Sequence, residues 1–124
     1  MILVDTSVWV QHLRARDSTL TKLLEEGAAL IHPFVIGELS LSSFHQRELV
    51  LQMLSRLPTA SVATNAEALR FIDQNALFGR GVGYVDVHLL AATRLTAGSR
   101  LWTLDKRLND VAVELRIAAG IGQC

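Results

Sequence analysis

Cysteine is almost missing from this 124-residue chain, whose single example, Cys124, is the last residue. A lone thiol cannot close a disulfide within the chain, which fits a reducing compartment and leaves only a bridge between two copies open. An excess of either charge is missing too: 12 Lys plus Arg face 12 Asp plus Glu, for a formal net charge of zero. Composition therefore carries no basic signature for nucleic acid or for an anionic membrane. No Lys or Arg precedes the opening apolar run, which Asp5 interrupts, so the expectation is neither a signal peptide nor a membrane span but a cytoplasmic protein. Internal repeats, low-complexity tracts and linkers rich in Pro, Gly and Ser are also lacking. Half of the residues are apolar, enough for one core, and a single domain over residues 1–124 is expected.

What the chain does have is an alternation of short apolar runs and amphipathic stretches. Ile2 to Val4 reads as a strand buried on both faces, followed by a helix over Ser7 to Arg14. The cluster Asp17, Ser18, Thr19 supplies an N-cap, Leu20, Leu23 and Leu24 make a helical stripe, and Gly27 is placed to end it. "AALI" (Ala28 to Ile31) fits a second strand, and Pro33 opens a helix expected to run to about Phe44. A further helix is expected from Gln46 to Leu57, and "ASVA", residues 60–63, reads as a weaker third strand. Thr64 and Glu67 have capping-box spacing ahead of Ala68, Leu69 and Ile72. The glycine-rich stretch "FGRGVG" precedes a long helix that includes "DVHLLAATRL". "RLWTLD" then forms a strand, and Leu108, Val111, Ala112 and Leu115 mark a closing helix. Strands alternating with helices imply an α/β fold, a three-layer α/β/α sandwich on a mostly parallel sheet.

In such sheets the working site lies at the carboxyl ends of the strands. Asp5 and Asp105 both end strands, although a helix-capping role would explain either one alone. Glu38 stands out because Phe34, Val35 and Leu41 fall within roughly 60° of it around a helix, a face expected to be inside. Asp86 shares its side with Leu89, Leu90 and Thr93, where a first-turn acid near the positive helix end is the plainer explanation. If all four converge, each pair of charges about 5 Å apart repels by roughly 3 kcal/mol at an effective dielectric near 20. A hard divalent cation with oxygen ligands, Mg²⁺ or Mn²⁺, would neutralise the cluster. Setting these four acids aside leaves twelve positive charges against eight negative, a net of +4 that is compatible with a polyanionic substrate.

"VDTSVWVQHLR" at the start, "HPFVIGEL" around Glu38, "FGRGVGYVDVHLLAAT" around Asp86 and "LWTLDKRL" around Asp105 together resemble the PIN-domain family, specifically its VapC-type toxins, over nearly the whole chain. Asp5, Glu38, Asp86 and Asp105 match the family's four acids in order and approximate spacing. The resemblance implies a metal-dependent endoribonuclease in which the four acids hold Mg²⁺. In-line attack of water would leave a 5′-phosphate and a 3′-hydroxyl. It also implies a homodimer and a cognate antitoxin that covers or enters the acidic site. Asp5 and Asp86 are the expected direct metal ligands, with Glu38 next and Asp105 acting through water or at a second ion.

Thr6, Ser7 and Thr103 are candidate contacts to substrate phosphate or metal-bound waters, although hydroxyls beside strand ends often serve as local caps. Arg80 is the foremost candidate for a phosphate contact, with Arg14, Arg16, Lys106 and Arg107 near the same elements. His12, His32, His45 and His88 lack zinc-ligand spacing, and Trp9 and Trp102 sit in apolar runs, so all six are expected to be structural or at the surface. The glycine loop lacks both the P-loop pattern and a dinucleotide fingerprint. A haloacid-dehalogenase-type phosphatase would want a second Asp where Ser7 stands. The remaining alternatives are a DNA-directed nuclease with the same acids and a catalytically silent RNA- or protein-binding module.

Overall fold

Three adjacent apolar residues form β1 (Ile2–Val4), and the computed structural model, which describes residues 1–121, sets this strand at the centre of a parallel sheet. β2 (Ala29–Leu30) pairs on one side and β3 (Arg100–Trp102) on the other, with Leu3 opposite both Leu30 and Leu101. Leu3 and Val4 are completely buried, as a continuous apolar strand in a parallel sheet requires. Single parallel bridges, Ile31 to Thr59 and Leu101 to Ala118, extend the sheet past both outer strands. Cys124, and with it any disulfide between two copies, lies outside the described residues.

Among the described residues seven helices complete the α/β architecture: α1 (Thr6–Arg14), α2 (Ser18–Glu25), α3 (Pro33–Ser40), α4 (Arg47–Ser55), α5 (Asn65–Gln74), α6 (Tyr84–Leu95) and α7 (Lys106–Glu114). Local chemistry sets their ends. Asp17 accepts from Leu20 N–H at 2.9 Å to start α2, and Gly27, at φ +66°, takes the left-handed conformation that ends it. Thr64 and Glu67 form both halves of a capping box at the start of α5. In α6 every residue from Val87 to Thr93 is buried, so this helix is core on all sides. Buried apolar residues from the sheet and from all seven helices form one cluster. Among the described residues no helix is long and apolar enough to cross a membrane.

Three boundaries depart from expectation. β3 ends at Trp102 instead of running to Asp105, whose N–H donates to the Thr103 hydroxyl and whose side chain caps α7. The strand expected over residues 60–63 does not form, and the chain makes its bridge earlier, with Ile31 N–H donating to Pro58 O and Ala60 N–H to Ile31 O. The ladder cannot continue because Ser61 N–H donates instead to the Thr96 hydroxyl at 2.9 Å and Thr64 already caps α5. Helix α3 stops at Ser40 rather than near Phe44, because the Arg47 guanidinium takes the Ser40 carbonyl that would continue the helix.

His32 links the end of β2 to α3. Its Nδ1 accepts from Phe34 N–H at 3.0 Å, while its Nε2 is buried with no hydrogen-bond partner among the described residues and its ring lies 6.4 Å from that of His88. Burial, reinforced by the neighbouring His88, lowers the His32 pKa to about 4. A folded-state value below the unfolded 6.5 means that the unfolded chain binds the proton first, so stability falls as the pH drops from about 6.5 through about 4. His32→Asn retains a capping oxygen but cannot titrate. Urea denaturation at a series of pH values is expected to show a variant less stable than the parent at neutral pH, through lost packing, but with a flatter decline on acidification.

Candidate active site

The order β2-β1-β3 decides where a site can open. From β1 the chain passes to β2 on one side, whereas beyond β3 it returns at Ala118 on the other, so the loops after β1 and β3 diverge and leave a crevice between them. Asp5 directly follows β1 and is 6 % exposed, and its N–H donates to Trp102 O at 2.9 Å. Although it occupies the N-cap position of α1, its side chain makes no capping bond. Instead Oδ2 accepts from the hydroxyls of Ser7 and Thr103, each at 2.7 Å. Those hydroxyls are held in turn by the turn after β3: Leu104 N–H donates to Ser7 Oγ and Asp105 N–H to Thr103 Oγ1, both at 3.0 Å.

The other three acids are placed by different means. Asp105 caps α7, its Oδ1 accepting from Leu108 N–H at 3.0 Å. The plain capping role therefore holds for Asp105 and fails for Asp5. Asp86 lies in the first turn of α6, half-buried, and its Oδ2 accepts from Gly83 N–H at 2.9 Å. Glu38 is exposed, and its Oε1 accepts from the Thr6 hydroxyl at 2.6 Å, which ties α3 to α1. The reason given for Glu38 from the sequence does not hold, because Leu41 is 89 % exposed and Phe34 also faces outward; only Val35 and Leu39 are core. The second oxygens of Glu38, Asp86 and Asp105 accept no hydrogen bond among the described residues.

Electrostatics relate the four carboxylates to one another. Burial pushes the Asp86 carboxyl above its ordinary range, the Gly83 N–H opposes this, and the charges of Asp5, Asp105 and Glu38 push it higher still. Among the described residues no cationic side chain pairs with them. The ion pairs among the described residues are Arg80 with Glu114 and Lys106 with Asp110, and neither involves these acids. The set is all oxygen and uncompensated, which fits a hard divalent cation. It does not form a ready-made cage, since no three His, Cys, Asp or Glu among the described residues close around one point.

Comparison with known proteins identifies the family. The PIN domain family matches residues 2–114, a span that contains all four acids. The chain belongs to the PIN-domain family. Over 118 residues, 95 % of each chain, it is 49 % identical to Ribonuclease VapC32 of Mycobacterium tuberculosis, in strains CDC 1551 / Oshkosh and ATCC 25618 / H37Rv alike. It is thus a PIN domain of the VapC type.

Of the hydroxyls read as substrate contacts, Thr6, Ser7 and Thr103 each donate to one of the acids, so in this PIN domain they orient carboxylates. The Arg80 guanidinium is engaged by Glu114 through two bonds of 2.9 and 2.8 Å. His88 is buried among Phe34, Tyr84 and His32 rather than turned toward the acids, and Trp9 and Trp102 are core. The sequence reading overlooked Gly83; the signal was its position three residues ahead of an acid in a helical first turn, the spacing of a capping box.

Because the folded-state pKa of Asp86 is raised, its charge costs stability above that value, and the cost fades as the pH falls toward the ordinary 3.8. Asp86→Asn keeps an acceptor for Gly83 N–H. Thermal melting is expected to show this variant a few degrees more stable than the parent at about pH 7, with the gap closing toward about pH 4. A variant less stable at every pH would contradict the crowding of charge at this site.

Proposed function

We propose that the chain is a metal-dependent endoribonuclease, the toxin of a toxin–antitoxin pair, in which Asp5, Glu38, Asp86 and Asp105 bind Mg²⁺, or Mn²⁺ in its place. The observation that carries this reading is the gathering of Asp5, Glu38 and Asp105 close enough to Asp86 for their charges to act on it, with no ion pair among the described residues to offset them. The likeness to Ribonuclease VapC32 supports RNA as the substrate. A bound divalent cation would supply Lewis acidity, lowering the pKa of a coordinated water and screening the charge of the scissile phosphate. The reaction is hydrolysis: water adds to phosphorus, the 3′ oxygen leaves as a hydroxyl, and the phosphate stays on the 5′ side of the downstream fragment.

The chain's own groups prepare this site. Asp5 is clamped by Ser7 and Thr103 and cannot swing, so it is the fixed point of the set. Glu38 is steered by Thr6, and Asp105 gives one oxygen to its helix while keeping the other for the cleft. The exposure of Glu38 and Asp105 beside buried Asp5 leaves the site open on one side, where RNA would enter and where an antitoxin segment would block it. A homodimer remains part of this proposal.

Purified protein incubated with total cellular RNA tests the reading. Discrete cuts with 5′-phosphates are expected in Mg²⁺; they should vanish in EDTA and fall at least about 100-fold in Asp5→Asn. Cleavage that survives both treatments would contradict the mechanism. Cleavage of DNA alone would point to the DNA-directed alternative, and RNA binding without cleavage to a silent module.

A further inference from the structure

Five basic residues lie near the acid-bearing elements in sequence, and the structure separates them. Arg80 is held by Glu114, Lys106 by Asp110 at 3.1 Å, and Arg16 donates to the Thr21 hydroxyl at 3.2 Å. Arg14 is unpaired among the described residues but ends α1, about 13 Å along the helix from Asp5. Arg107 differs from all four. It is exposed and makes no hydrogen bond or ion pair among the described residues, yet its side chain is seated against the backbone of Gly81. A Cβ on Gly81, which already needs glycine for its φ of +79°, would stand 2.8 Å from Arg107 Nη1, 2.9 Å from its Cδ and 3.3 Å from its Cζ, so a side chain there would displace the guanidinium from this position.

The location matters as much as the fit. Arg107 lies in the first turn of α7, two residues after Asp105, while Gly81 lies two residues before Gly83, whose N–H holds Asp86. The guanidinium therefore bridges the turns that present two of the acids, without being consumed by either: the charges acting on Asp86 are those of Asp5, Asp105 and Glu38. An acidic cleft repels a polyanion, and a seated but unpaired guanidinium at its rim offers a planar set of donors matched to phosphate oxygens. We propose that Arg107 binds a backbone phosphate of the RNA next to the one cleaved, and that the missing Cβ of Gly81 lets the guanidinium sit where it can do so. This inference rests on the ribonuclease reading given above.

The test measures binding rather than turnover. Labelled single-stranded RNA oligonucleotides of several sequences are titrated against the Asp5→Asn protein in Mg²⁺ over a range of salt. Adding Arg107→Ala is expected to weaken binding about tenfold for every sequence and to lower the log–log salt slope by about 0.7, the share of one phosphate contact on a single strand. Arg107→Lys should restore part of the loss. Gly81→Ala should reproduce it with no change in charge. Gly79→Ala should not, because Gly79 has the same left-handed backbone, at φ +72°, but nothing within 4 Å of the added Cβ. Unchanged affinity and slope in Arg107→Ala, equal losses in the two glycine variants, or no RNA binding by the Asp5→Asn parent would each overturn the proposal. If the parent enzyme cleaves RNA and Asp5→Asn does not while Arg107→Ala binds normally, this inference alone fails. Cleavage that persists in Asp5→Asn would instead remove the ribonuclease mechanism beneath it.

Discussion

A carboxylate sealed at the end of a central strand persists only if its hydrogen-bonding needs are met within the protein, and meeting those of Asp5 ties together three parts of the chain. Ser7 on α1 and Thr103 after β3 both donate to Oδ2, and each of their oxygens accepts a backbone N–H from the turn that leads into α7. Hydrogen bonds to a charged group contribute about 1.5–3 kcal/mol, and a buried charge left short of donors costs at least as much. The network thus fixes the angle between the first helix and the last turn of the site as firmly as it fixes Asp5. The direction in which α1 and α7 leave the sheet, and so the width of the crevice, follows from it.

Around that fixed point the remaining acids carry graded constraints. Asp105 shares its carboxylate with a helix N-terminus, Asp86 shares its own with the Gly83 N–H, and Glu38 reaches across from a separate helix to Thr6. Each is oriented through one oxygen. The cost of this preorganisation is electrostatic and falls most visibly on Asp86, which is both partly desolvated and surrounded by like charge. The chain could relieve it with a lysine or arginine in the cluster, and it has not: its two ion pairs among the described residues are spent elsewhere. A site left negative in this way is one that the proposed divalent cation would neutralise.

Much of this was legible in the sequence where the signal was local. The end of β1 before Asp5, the capping position of Asp105, the Asp17 cap, the Thr64–Glu67 box and the apolar helix after Asp86 all depend on neighbours within a few residues. What could not be read depended on distant partners. The hydroxyls of Ser7 and Thr103 looked like substrate contacts because nothing local reveals that one carboxylate takes both, across 98 residues in the case of Thr103. Glu38 was found by a periodicity argument that the fold does not honour, since Leu41 lies in solvent; its real tie is to Thr6. The strand expected at 60–63 had the right composition, but Thr96 claims its amide from outside. The seat that Gly81 makes for Arg107 is likewise a tertiary contact between two residues that each look ordinary alone.

The central claim is that the four carboxylates strain one another until a divalent cation joins them, and metal-linked stability tests it most directly. Melting of the parent chain is followed as Mg²⁺ or Mn²⁺ is raised at constant ionic strength, beside Asp86→Asn. An ion that binds only the folded state stabilises it by about 2.7 kcal/mol at a hundred times its dissociation constant. The account predicts a melting temperature that climbs with the ion in the parent and stays nearly flat in Asp86→Asn. A parent indifferent to both ions, or a variant that responds as fully as the parent, would contradict it.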